Sequence, residues 1–155
     1  MPEAQEQASG ATGAGTQPVA PDAETMRVRW QTDDRFDIQV RDHTITVDQP
    51  VEIGGGDVGP TPTELFVAGL ASCIAFYARR YLRRHRIDPA GLEVITSYHM
   101  GAKPARVACV DMEIRLHAEL SPQRRAGLLA QAGHCTVHNS IAQSPDIAIT
   151  LAPAS

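Results

Sequence analysis

The chain lacks what several broad functions would need. Net positive charge is missing: 18 acidic residues outnumber 14 basic ones, for a formal charge of −4. A nucleic-acid binder usually carries a basic excess, so the balance argues against one. Lysine is nearly absent, with Lys103 alone beside thirteen arginines. No apolar stretch is long enough to cross a bilayer. The longest, Leu65 to Ala78, has fourteen residues, where about 20 are needed, so a buried helix is expected and no membrane anchor. The first 25 residues hold neither a basic start nor an apolar signal segment. Without such a leader, three cysteines point to a reducing, cytoplasmic compartment rather than to a disulfide framework. No internal repeat is visible.

What remains is enough for one domain with a core: 155 residues, 43% hydrophobic and 21% charged. Residues 1–25, rich in Ala, Gly, Gln, Pro and Thr, lack the large apolar groups that offset ordering entropy, so a disordered tail is expected there. The domain then occupies residues 26–155. Met26, Val28 and Trp30 alternate with polar residues, as do Phe36, Ile38 and Val40, then Ile45 and Val47. This period of two predicts an antiparallel meander with one apolar face.

The segment GGGDVGPTP is a loop that ends in a helix start. Thr61 suits the N-cap, Pro62 the first helical position and Glu64 the third, which is capping-box spacing. The helix should run from Pro62 to about Arg86. Its first half is apolar nearly all round, which predicts burial on several sides. Arginines at 79, 80, 83, 84 and 86 suit the negative end of the helix dipole. A hairpin follows around GAKPAR, with strands over 92–100 and 107–120. In the second strand Ala108, Val110, Met112, Ile114, Leu116, Ala118 and Leu120 should share one face. Ser121 and Pro122 open another helix that ends near Gly133. A short helix or turn begins near Cys135, and Ile147, Ile149 and Leu151 predict a last strand. The order β-β-β-α-β-β-α-α-β is that of an α+β fold, antiparallel sheets packed on a long buried central helix.

The cysteines are the chemically suggestive residues. Cys109 lies on the charged face of a strand and needs no role. Cys73 sits mid-helix among apolar residues, where burial alone makes a thiol inert. A reactive Cys73 therefore needs a cation from elsewhere in the fold. Cys135 stands near a helix start, flanked by His134 and His138. A packed cysteine, a redox thiol and a metal ligand alongside His138 and Cys73 are all open readings. Zinc sites usually show two paired ligand clusters, and only one is present.

Two stretches carry a resemblance. GGGDVGPTPTELFVAGLASC and HCTVHNSI resemble the segments around the first and second cysteines of the OsmC/Ohr superfamily, closer to its OsmC-like branch. The likeness covers roughly residues 26–152. It implies an intertwined homodimer with the central helices buried at its core. It also implies a thiol peroxidase for organic hydroperoxides, with no cofactor. Cys73 would attack the peroxide and Cys135 would resolve the sulfenic acid. An arginine and a glutamate would assist, and a dithiol such as a lipoyl group would be the reductant. Arg35 is the best positional match for the arginine, with Arg27, Arg29 and Arg41 as competitors. Glu64 matches the glutamate. Nine residues before Cys73, it lies half a turn away and about 13 Å along the axis. It could serve only the partner chain's thiol, and a helix cap is its alternative. Thr136 replaces a common proline. A non-enzymatic redox sensor or ligand-binding protein of the same fold is the alternative function.

Overall fold

The computed structural model describes residues 24–154. The expected tail lies almost wholly outside the described residues. Strands β1 (Arg27–Thr32), β2 (Arg35–Val40) and β3 (His43–Val47) form the meander, each antiparallel to the next. Of its apolar residues only Val47 is buried in the core. Met26 and Trp30 are each 65% exposed and Val28 is 58% exposed. The alternation named the right face, which is buried at Val47, half-buried at Ile38 and exposed at Val28 and Trp30.

Between β3 and the long helix runs a strap built on one carboxylate. Asp48 is buried and accepts from the N–H groups of Gln49 (2.8 Å), Gly56 (3.0 Å) and Val58 (3.3 Å). The Gln49 N–H holds its carboxyl below the usual carboxylate range against the cost of burial, and the Val58 and Gly56 N–H groups and the Arg35 charge pull the same way. Gly59 passes so close to the Thr46 carbonyl that a side chain would collide with it. The strap includes a short 3-10 turn, Val51–Ile53, that the sequence pattern did not announce.

Helix α1 (Pro62–Arg84) starts as expected. Glu64 N–H donates to Thr61 Oγ1 at 3.1 Å, and Thr61 N–H donates to Glu64 Oε2 at 2.8 Å. The helix ends two residues before Arg86, where a positive φ of 54° takes the chain out of helical conformation. The full 23-residue helix, unlike the fourteen-residue apolar run inside it, is long and apolar enough to cross a membrane. Within the fold it packs against both following helices and the hairpin.

Burial of α1 is one-sided, not all round. Ala78, Tyr81 and Leu82 in its second half form the core with Leu128, flanked by Ile87, Leu92 and Ile114. Leu82 is fully buried, a placement that contributes about 1.5–3 kcal/mol. Phe66 and Phe76 on other faces remain 45% and 58% exposed.

The hairpin pairs β4 (Glu93–Ala102) with β5 (Ala105–Arg115). Its register slips between His99 and Met100, leaving Ala108 as the extra residue of a bulge. The bulge moves Val107, not Ala108, to the half-buried face shared by Val110, Met112 and Ile114. Strand β5 stops at Arg115, short of the expected Leu120. Helix α2 (Pro122–Gly133) follows, capped by Ser121. Gly127 lets it approach α1, since a Cβ there would lie 2.6 Å from the Tyr81 hydroxyl. Helix α3 (Thr136–Ala142) follows directly. The expected last strand is not seen: residues 147–154 have no strand partner among the described residues, and Ile147, Ile149 and Leu151 are 80–98% exposed.

The Asp48 strap generates a pH test. A carboxyl lowered in the folded state stabilises above its unfolded value, here 3.8, and that contribution fades as pH falls through the folded value. Asp48→Asn should lower the urea midpoint at pH 7. The gap between wild type and variant should shrink below about pH 4. A gap unchanged down to pH 2 would remove Asp48 from this role.

Candidate active site

Three elements bring the cysteines into relation. Helix α1 carries Cys73 in its middle, half-buried. The α2–α3 junction carries Cys135, fully buried. Cys135 is the N-cap of α3, and its Sγ accepts from the His138 N–H at 3.3 Å. A sulfur can cap here because this N–H has no partner within its own short helix. His138 also donates its ring Nδ1–H to the Gly133 carbonyl at 3.1 Å, which ties α3 back to the end of α2.

The Cys73 and Cys135 side chains are near enough for one thiol to bear on the other's ionisation. Burial pushes the Cys135 thiol above its ordinary pKa, and the adjacent Cys73 pushes it further. The N–H groups of His138 and Val137 pull the other way without prevailing. Cys135 is thus a protonated, enclosed thiol at neutral pH, and Cys73 is the more accessible of the two.

The other expected site residues lie elsewhere in the single chain. Glu64 is engaged in the capping box, a full nine residues up the helix from Cys73. Arg35, at the start of β2, bears electrostatically on Asp48 of the strap. Neither is hydrogen-bonded to a thiol. Cys109 is exposed and directs its Sγ to Asp111 Oδ2 at 3.7 Å, opposite His99 on β4. Among the described residues no three His, Cys, Asp or Glu side chains converge as a metal site. An open groove of about 980 Å³ lies between β5 and α2, lined by Met112, Ile114, Leu120 and Leu128, and includes neither paired cysteine.

Sequence reasoning missed one side chain that joins the two cysteine-bearing elements and one that stacks beside it. Tyr77, one turn after Cys73, reaches Thr136 on α3, with 3.2 Å between the hydroxyls. Arg80, one turn further on, lies over the rings of Phe76 and Tyr77 at 5.8 and 5.7 Å. The i, i+4, i+7 spacing from Cys73 was the available signal.

Residues 54–150 match the model of the family described as OsmC-like protein. The chain belongs to this OsmC-like family. Among solved structures, one described as an osmotic stress induced and detoxification response protein of Psychrobacter arcticus is 28% identical, with a TM-score of 0.71. The alignment covers 81% of this chain and 90% of that one. An organic hydroperoxide resistance protein OsmC of Legionella pneumophila is 20% identical, with a TM-score of 0.59 over 76% and 88% of the two chains. The organic hydroperoxide resistance protein OhrB of Bacillus subtilis is 17% identical, with a TM-score of 0.56 over 77% and 92%. The last two likenesses are of fold. No curated protein matches. The OsmC-like fold seen here is the expected α+β arrangement of antiparallel strands around a long central helix.

Burial predicts how the native protein meets iodoacetamide. Cys73 and Cys109 should be alkylated and Cys135 should be spared at pH 7.5, as read by peptide mass mapping. Cys135 should react only when the protein is unfolded. Rapid native labelling of Cys135 would contradict the enclosed thiol.

Proposed function

We propose that this OsmC-like protein is a thiol peroxidase that reduces organic hydroperoxides. The observation that carries the reading is the adjacency of a half-buried and a fully buried thiol on α1 and at the α2–α3 junction. In the first step the Cys73 thiolate attacks the peroxide O–O bond. Cys73 becomes a sulfenic acid, and the alkoxide leaves and takes up a proton as an alcohol. In the second step the Cys135 thiol attacks that sulfur; an S–S bond forms and water leaves. A dithiol of lipoyl type then reduces the disulfide by two exchanges and leaves as its own cyclic disulfide. Exposure decides the roles within the pair: Cys73 is partly open to a peroxide and Cys135 is enclosed.

The exposed rings of Phe66 and Phe76 lie on the same helix as Cys73. They favour alkyl or aryl hydroperoxides over hydrogen peroxide.

The same reading includes a homodimer working in the cytoplasm. The open apolar face of the meander and the exposed side of α1 are surfaces that a second copy would cover. In that dimer Arg35 and Glu64, neither of them hydrogen-bonded to a thiol of its own chain, would serve those of the partner.

The test is turnover of cumene hydroperoxide with dihydrolipoamide. Cys73→Ser should abolish consumption. Cys135→Ser should consume about one equivalent and stop, and Cys109→Ser should behave as wild type. Disulfide formation without turnover in wild type would favour a redox sensor instead. Light scattering should give twice the chain mass; a monomer at micromolar concentration would remove the partner-chain roles of Arg35 and Glu64.

A further inference from the structure

Cys135 owes its position to α3, a helix of only seven residues. Among the described residues, one side-chain hydrogen bond links α3 to α1: Tyr77 Oη to Thr136 Oγ1, 3.2 Å. Both partners adjoin the thiols. Tyr77 is one turn after Cys73 on the same helix, and Thr136 is the residue after Cys135.

Thr136 also occupies an unusual position for a hydroxyl. It is the first residue of α3, where proline is favoured because the N–H has no helical partner. Cys135, with φ −65° and ψ 131°, already has the conformation that a following proline requires. Local structure therefore asks for no hydroxyl at this place. The one present is spent on α1.

We propose that the Tyr77–Thr136 hydrogen bond is a latch that holds α3 against α1, so that Cys135 stays beside Cys73 and disulfide closure outruns further oxidation. Tyr77 and Thr136 are positioning residues and touch neither peroxide nor sulfur in the reaction. The latch rests on the peroxidase reading for its biological use, but not for its existence. Any oxidant that activates Cys73 exposes it. A hydroperoxide gives the sulfenic acid, with loss of an alcohol. Diamide adds the Cys73 sulfur across its N=N bond, and attack by Cys135 on that sulfur releases the hydrazine and forms the disulfide. In both cases the second step is the same approach of Cys135.

The experiment is stopped-flow oxidation in a Cys109→Ser background, with cumene hydroperoxide and separately with diamide. Activation of Cys73 and closure of the disulfide are followed as two phases by quenched-flow mass spectrometry. Tyr77→Phe and Thr136→Pro should each slow closure about threefold to tenfold, the span of one net hydrogen bond. They should leave the first phase within about twofold, since neither residue touches the reacting atoms. Thr136→Ser should restore closure. The double variant should be no slower than either single one, because both remove the same bond. With excess peroxide the slow variants should accumulate Cys73 sulfinic acid.

Thr136→Pro keeps the start of α3, so slowing there is not a folding defect. Thermal melts of each variant check this for Tyr77→Phe. Closure unchanged in both variants with both oxidants overturns the latch and leaves the peroxidase reading standing. Slow closure with diamide, but no reaction of wild type with hydroperoxide, supports the latch and overturns the peroxidase reading.

Discussion

Everything chemical in this protein depends on the docking of one short helix start onto the middle of α1. That contact encloses Cys135 completely and sets its sulfur beside Cys73. Seven residues cannot hold such a geometry by themselves, because a helix that short is unstable alone. The support comes from the His138–Gly133 bond behind it and the Tyr77–Thr136 bond in front. Further support lies beneath, in the core of Ala78, Leu82 and Leu128 that fixes α2 on α1.

The environment then divides labour between two chemically identical groups. Burial keeps Cys135 protonated and unreachable, which suits a thiol that must wait. Partial exposure leaves Cys73 open to a small oxidant. The meander and strap stand apart from this pair. They bring Arg35 beside Asp48 and present an apolar sheet face that stays exposed at Val28 and Trp30. A single chain thus holds both thiols of the site and, in the proposed reading, lends its arginine and glutamate to another copy.

Much of this was legible because the signals are local. The alternation through Trp30, Ile38 and Ile45, the Thr61–Glu64 box and the Ser121 cap each specify structure within a few residues, and each is seen. The helix start at Cys135 was legible for the same reason. Other features depend on tertiary partners and were not. Ala108 obeys the alternation of its strand, yet a bulge set by pairing with β4 shifts the phase there. The apolar girth of α1 implied burial all round, but apolar residues record every surface a helix will meet, including those no part of its own chain covers. Ile147, Ile149 and Leu151 carry a strand pattern without a strand to pair with among the described residues. At the site, two cysteines separated by 62 positions could be paired only by resemblance until the fold joined them. Arg35 could not be told from its neighbours, and Tyr77 gave no sign beyond its spacing.

The most direct measurement of the central claim is the product of one equivalent of organic hydroperoxide added to the reduced protein. The account predicts loss of two thiols per chain and a disulfide linking the Cys73 and Cys135 peptides, with Cys109 still free. A product with one thiol lost and Cys73 alone oxidised, or a bridge that recruits Cys109, would contradict it.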